Sequence, residues 1–271
     1  MKDIISTIVR FHDEKSLAKL ERAIQSLHAQ SGVMVQPIIV TQRFDKTSFA
    51  RTREAVMRQW FFNWLPEPVV VNYSDDGQAD VRSDLINLGM EQHRKLGNRF
   101  LAFLDYDDIM YSHAYETLRK PLLSTDAAVS FASVEMAHVI GMNDYDFIYG
   151  MSYPFIGKNK MDMVKENFCP LHSYMVDCSK VEDRELHFRS DLVRVEDYDF
   201  LLRVAGANPC DFSNLDIRIG LYMHRSDGSN STPRGIGSKT DLEKEVIWKD
   251  NRERLDRLRS TYQVNFFASD F

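Results

Sequence analysis

The residues best placed to do chemistry in this sequence are three carboxylates that follow a greasy run. In "RFLAFLDYDDIMY", residues 99–111, Phe100, Leu101, Phe103 and Leu104 read as a short buried strand. Asp105, Asp107 and Asp108 come directly after it, with Tyr106 between them. Like charges this close repel, and each raises the others' pKa unless a cation sits among them. The cluster is therefore a candidate cation site; the alternative is an Asp-rich turn that stops a strand. A second acid group, Glu196 and Asp197 in "VEDYDFLLRV", opens a helix with its acids in the first turn, where the helix dipole favours them. His224 and Arg225 end the strand-like run "IRIGLYMHR".

Alternating elements must carry these groups. "IISTIVRF", residues 4–11, is rich in β-branched residues and reads as a strand. A helix follows, with Leu17, Leu20, Ile24 and Leu27 on one stripe and Gly32 expected to end it. "VMVQPIIVT" (33–41) reads as a second strand. Residues 48–65 read as a second helix with Phe49, Val56, Trp60 and Trp64 on one face, closed by Pro66. "PVVVNY" (68–73) is a third strand, residues 80–97 a third helix punctuated by Gly97, and "RFLAFL" (99–104) a fourth strand. This alternation predicts an α/β fold with a Rossmann-like, mostly parallel sheet flanked by helices. Ligands of such sheets bind beyond the carboxyl ends of the strands, where Asp105 to Asp108 sit. That context favours the functional reading of the cluster over the turn.

The second half is patterned differently. "AAVSFASVEM" (127–136) has β character, whereas residues 141–160 read as an aromatic loop. Residues 226–239 form a polar, glycine-rich stretch of the functional loop kind, suited to closing over a bound ligand. A charged helix is predicted from Thr240 to about Tyr262, with Thr240 and Glu243 as a capping box. Leu242 and Val246 share one of its faces, and Leu255, Leu258 and Tyr262 another. Such a helix is expected to pack on its own domain first, and on a second subunit in a homodimer next.

The composition excludes several classes. The 271 residues are 44% hydrophobic and 27% charged, an ordinary globular balance with enough length for a sizeable core. A net charge of −6 argues against simple electrostatic binding of nucleic acid. The three cysteines, Cys169, Cys178 and Cys210, form no metal-spaced pair and are expected as small buried hydrophobes in a reducing compartment. No apolar run of about 18 residues predicts a transmembrane segment, and the N-terminal stretch lacks signal-peptide features. A cytoplasmic protein is expected, with peripheral association at the inner membrane face as an option.

Four pieces, taken in order, resemble the family 2 glycosyltransferases, which have the GT-A fold: "ISTIVRFHDE", "RSDLINLG" before "FLDYDD", "VEDYDFLLR" and "YMHRSDGSNST". The resemblance implies a GT-A domain over residues 1–239, its nucleotide-binding half 1–110 and acceptor-binding half 111–239, with a C-terminal helical extension 240–271. It implies a nucleotide-sugar donor, probed first as a UDP-sugar, a Mn²⁺ or Mg²⁺ cofactor, and a glycan or lipid-linked saccharide acceptor, in the assembly of a surface polysaccharide or similar glycan. Asp107 falls at the family's metal carboxylate. Asp105 is expected to contact ribose or share the metal, Asp108 to support the shell, and His224 to complete it. Asp197 is expected as the general base of an inverting transfer, with Glu196 orienting the acceptor or taking its place. Arg225 is expected at the diphosphate, and Arg10, Gln42, Arg82, Asp105 and Tyr106 around the nucleotide. Gln42, which offers donor and acceptor, stands where the family often has an Asp. Arg10 replaces the family's small residue or Pro. Asn87 is expected to be structural and Arg203 to form a salt bridge, while the aromatic stretch 145–155 and His172 are candidates for the acceptor site.

Two other readings compete. "FLDYDDI" also resembles the strand-then-DxD motif of haloacid-dehalogenase phosphotransferases, with Asp105 as nucleophile. That motif normally opens its chain, whereas here about a hundred residues of α/β pattern precede it. A non-catalytic nucleotide-sugar or glycan-binding protein is the other, set against the presence of both Asp107 and Asp197.

Overall fold

The computed structural model describes residues 1–77, 80–142, 145–225 and 239–270, with side chains of the last stretch described from residue 245. Four parallel strands build the first half. They are β1 (Lys2–Phe11), β2 (Val35–Gln42), β3 (Val69–Tyr73) and β4 (Asn98–Asp105), with β1 between β2 and β4 and β3 outside β2. The helices α1 (Leu17–His28), α2 (Lys46–Arg58) and α3 (Arg82–Leu96) connect them. α1 buries Leu20, Ala23, Ile24 and Leu27, one stripe at helical spacing. α3 approaches β1 closely: a Cβ on Gly89 would lie 2.6 Å from Ile8 Cγ2, so only glycine fits without a shift. Gly97 caps α3 in the left-handed conformation, φ 68°.

The sheet continues into the second half. The short β5 (Ile109–Met110) and α4 (Ala114–Ser124) precede the long β6 (Val129–Gly141). β7 (Asp146–Ser152) folds back on β6, and α5 (Lys160–Lys165), β8 (Tyr174–Asp177), α6 (Glu196–Ala207), β9 (Cys210–Arg225) and α7 (Lys239–Arg259) complete the chain. Among the described residues nine strands form one sheet in the order β3-β2-β1-β4-β8-β6-β9-β5, with β7 beside β6. β8 is antiparallel to β4 and β6, while β6 and β9 run parallel.

Several elements differ from the sequence pattern. α2 stops at Arg58, before the expected Trp60 and Trp64. Gln59 is held sideways by Gln25 (2.8 Å), and Trp60 Nε1 donates to the Leu65 carbonyl (3.0 Å), closing a turn that leaves Phe61, Phe62 and Trp64 exposed. α1 ends at His28, and Gly32 takes φ +70° in the turn beyond it. Residues 146–152, expected as loop, are the strand β7, in which every residue after Asp146 is half-buried or exposed, so no alternation marks it. Of residues 169–175, Tyr174 and Met175 open β8, and Cys169, Leu171, His172 and Ser173 are buried just before it. α7 packs through Trp248, Asn251 and Leu255, not through Val246, which is exposed. Asn251 accepts the Val193 amide (3.0 Å), a polar anchor hidden from hydrophobic periodicity. The capping pair Thr240 and Glu243, Leu242 and the loop 226–237 lie outside the described side chains. All three cysteines are free and buried, as expected. Among the described residues no helix is long and apolar enough to cross a membrane.

Candidate active site

Arg10 and Asp105 end neighbouring parallel strands and are direct register partners, which sets the first contact of the site. Arg10 donates to Asp105 Oδ1 through Nη2 (2.7 Å) and Nε (3.2 Å), and through Nη1 to Glu196 Oε1 (3.2 Å). The guanidinium thus joins the Asp cluster to the first residue of α6. Burial opposes its charge, but Asp105 and Glu196 outweigh that and raise its pKa. Burial likewise pushes the Asp105 carboxyl up, and Arg10 more than reverses it, holding it below the usual range.

The acids beyond Asp105 are not so well compensated. Burial and Asp105 push the Asp107 pKa up, against a weaker pull from Arg225, whose Nε lies 3.7 Å from Asp107 Oδ2. The Asp107 side chain keeps 26% of its surface exposed, so its carboxylate is reachable from solvent. Asp108 is buried. It accepts the Met223 amide (2.8 Å) and faces His172 Nδ1 at 3.4 Å, which ties the turn after β4 to β9. Burial and the neighbouring Asp107 and Asp105 charges raise the Asp108 pKa well above its ordinary value, and burial lowers His172 to about 4, so the imidazole is uncharged near neutrality. His172 is therefore packed beneath the site, not open to an acceptor.

Glu196 and Asp197 divide in the same way. Glu196 is buried and committed to Arg10, whereas Asp197 is half-buried and bonds the neighbouring Tyr198 amide (2.8 Å). Burial and the Glu196 charge push Asp197 up to about 6, the range in which a carboxylate serves as a base near neutral pH. Val195, just before the pair, sits at φ 57°. A β-branched residue there is strained, and such strain recurs at functional sites.

The other expected contacts scatter. Tyr106 packs edge-on against Phe11 and His12 at 5.2 and 5.4 Å between ring centroids. Arg82 pairs with Asp80 (3.0 Å) and lies near enough to Asp105 to lower its pKa. Gln42 is half-buried at the end of β2, opposite Tyr73. Asn87 clamps the Phe188 backbone by two bonds (2.8 and 2.7 Å), and Arg203 pairs with Asp199 (3.0 Å), the roles expected of both. Arg225, expected at the diphosphate, is only 3% exposed and makes a two-pronged pair with Asp146 (2.7 and 2.9 Å). His224 packs edge-on to His138 at 5.5 Å, and strand alternation turns it to the face opposite Arg225.

A divalent cation can therefore draw on a limited donor set. Among the described residues no group of three or more His, Cys, Asp or Glu could hold a metal ion. Arg10 takes Asp105 Oδ1 and the Met223 amide takes Asp108 Oδ1, while the partly exposed Asp107 carboxylate, with Arg225 Nε 3.7 Å away, is under like-charge pressure. One carboxylate fits a cation whose remaining ligands are phosphate oxygens and water, and does not make an all-protein cage.

Three groups escaped the sequence reading. Asp146 also takes Arg22 Nη1 (2.8 Å), and Arg22 Nη2 reaches the Asp107 carbonyl (2.9 Å). Hydrogen bonds from Arg225 and then Arg22 hold the Asp146 carboxyl down at about 2 despite burial. Asp146 stood inside an aromatic stretch, and its partners are remote in sequence, so nothing local marked it. The third group is Arg43 with Asp75. Arg43 has φ 54° at the end of β2 and pairs with Asp75 beyond β3. Acids at a strand end, the signal that marked Asp105, also stand in "VVVNYSDD".

No protein-family model and no curated protein matches the chain. Solved structures do. The structure of residues 1–349 of S. aureus TarS in complex with UDP-GlcNAc aligns at TM-score 0.59 and 13% identity, over 96% of this chain and 74% of that one. The same portion in complex with UDP aligns at TM-score 0.56 and 13% identity, over 82% and 60%. A structure of S. aureus TarS aligns at TM-score 0.55 and 14% identity, over 82% and 37%, so this chain spans well under two thirds of that protein's length. The chain has a mixed α/β fold with a mainly parallel central sheet flanked by helices, similar to that of S. aureus TarS.

Proposed function

We propose that the protein is a glycosyltransferase that moves a sugar from a nucleotide-sugar to a hydroxyl of a glycan or lipid-linked glycan. The observation that carries this reading is the division of labour among the acids at the carboxyl ends of β1 and β4. Arg10 engages Asp105 and Glu196, while Asp107 and Asp197, both half-buried, have their pKa values raised by burial and a neighbouring acid. Asp197, with its pKa near 6, is the base that takes the acceptor proton, and the transfer inverts. Asp107 is the carboxylate that would hold Mn²⁺ or Mg²⁺, which supplies Lewis-acid neutralisation of the departing diphosphate. Two structures of similar fold contain UDP or UDP-GlcNAc, which makes uridine nucleotides the first donors to try.

A screen of UDP-, GDP- and dTDP-sugars for Mn²⁺-dependent thermal stabilisation and donor hydrolysis tests the reading, because a ligand of the folded state raises Tm by mass action. Asp107→Ala is expected to abolish metal-dependent UDP binding by calorimetry and to leave the fold intact. Equal, metal-independent binding by both proteins rejects the metal role. Turnover of a simple phosphomonoester without nucleotide points to a phosphotransferase, and nucleotide binding without transfer or hydrolysis to a binding protein.

A further inference from the structure

We infer that Asp146 is a positioning residue for Asp107, acting through Arg22 and Arg225. The inference rests on the proposed role of Asp107. Four elements meet at this carboxylate. Asp146 is the first residue of β7, Arg22 comes from α1, Arg225 ends β9, and Asp107 lies in the turn after β4. The Asp146 side chain is 7% exposed and takes three charged bonds: Arg225 Nη1 at 2.7 Å, Arg225 Nη2 at 2.9 Å and Arg22 Nη1 at 2.8 Å.

Two consequences reach Asp107. Arg22 spends its other nitrogen, Nη2, on the Asp107 carbonyl (2.9 Å), which fixes the backbone of the turn. Arg225 lies with Nε only 3.7 Å from Asp107 Oδ2. Its planar fork favours a two-pronged pair with one carboxylate, and Asp146 is the carboxylate that takes it. With Asp146 neutralised, Asp107 is the nearest anion among the described residues for that fork, and an arginine closed over Asp107 competes with a cation for the same oxygens. Asp146 thus keeps Arg225 off Asp107 while Arg22 holds the turn still. Supports of this kind typically alter metal affinity by ~10–100-fold.

The test is the Mn²⁺ concentration that half-saturates UDP binding in calorimetry, with Tm of the metal-free protein measured alongside. Asp146→Asn is expected to raise that concentration about tenfold or more, with UDP affinity recovering at high Mn²⁺. Asp146→Glu, which keeps the charge, is expected to restore most of it. Adding Arg225→Gln to Asp146→Asn is expected to bring half-saturation back toward the wild type, because the competing fork is gone. A lower Tm with unchanged half-saturation means that Asp146 only supports the fold, and overturns the proposal. A double variant weaker than Asp146→Asn overturns it as well. Should Asp146→Asn not fold, Arg22→Gln carries the test: the same rise supports the proposal and no rise overturns it. If UDP binding by the wild type ignores Mn²⁺, the metal role of Asp107 falls and this proposal with it. Intact Mn²⁺ dependence with an unaffected Asp146→Asn overturns the proposal alone.

Discussion

Two clusters of buried charge in this molecule have opposite characters. Beneath the C-terminal segment, Lys160 and Asp270 are both fully buried and paired at 2.8 Å. Lys160 also donates to the carbonyls of Asn208 (2.8 Å) and Asn265 (3.0 Å), and Asp270 accepts the amides of Cys210 (2.9 Å) and Phe267 (2.6 Å). All three ammonium protons and both carboxylate oxygens are used, as a buried pair requires. At the ends of β1 and β4 the balance is different. Arg10 serves Asp105 and Glu196, and the pKa values of Asp107, Asp108 and Asp197 are all raised by burial and then by a neighbouring acid: Asp105 for Asp107, Asp107 for Asp108 and Glu196 for Asp197. The first cluster is satisfied by the fold alone. Among the described residues the second is less fully compensated, and under the proposed function a donor-bound cation and the acceptor proton would relieve it.

The largest effect expected from breaking this contrast is at Asp197. Asp197→Asn removes the base and keeps the shape, so transfer is expected to fall by about 10²–10⁴ while UDP binding is unchanged. In the wild type, transfer is expected to decline as pH drops below about 6, where Asp197 takes up its proton. Near-normal transfer by the variant shifts the base to Glu196 or to the substrate. A pH profile flat through 6 removes Asp197 from the proton transfer.

At the other cluster the readout is stability. Lys160→Met leaves Asp270 buried with only its amide donors, and removing one partner of a buried pair typically costs about 3–5 kcal/mol. Urea unfolding measures it, and adding Asp270→Asn is expected to recover part of the loss. A change under about 1 kcal/mol shows that water replaces the ammonium and that the segment is not locked.

The smallest effect sharpens the comparison from the other side. Asp197 has its pKa raised from 3.8 to about 6 by folding, so its charged form is penalised in the native state. That penalty is absent below 3.8, grows as pH rises, and is complete above about 6. Asp197→Asn is therefore expected to stabilise the protein above pH 6. Discounted for the partial exposure of the side chain, the gain is about 1 kcal/mol, or about 2–4 °C in Tm. The gain is expected to vanish near pH 4; a variant no more stable than the wild type at pH 8 means that Asp197 carries no such strain.

The first four strands, the stripe of α1, the Gly97 cap of α3 and the burial of the cysteines were all legible, because each is written in contiguous residues with a period of its own. The placement of Asp105 and Asp107 at a strand end was legible for the same reason, as was the acidic first turn of α6. The long β9 was caught only over its last nine residues, since its earlier part carries register shifts against β6. β7 was missed because an edge strand exposed on both faces has no alternation to read.

By itself, then, the amino-acid sequence determined which segments alternate as strand and helix, and that acids gather at the carboxyl ends of strands. It did not determine which of those acids would be compensated. Asp105 and Glu196 look as reactive in the sequence as Asp107 and Asp197, but Arg10 reaches the first two from a different strand, and neither bond is local. Nothing local in the sequence showed that the fold would bring Asp146 to Arg225 across 79 positions. Local periodicity follows from backbone geometry that neighbouring residues share. The charge state of a carboxylate follows from groups within a few ångströms in space, and only the tertiary structure decides which those are.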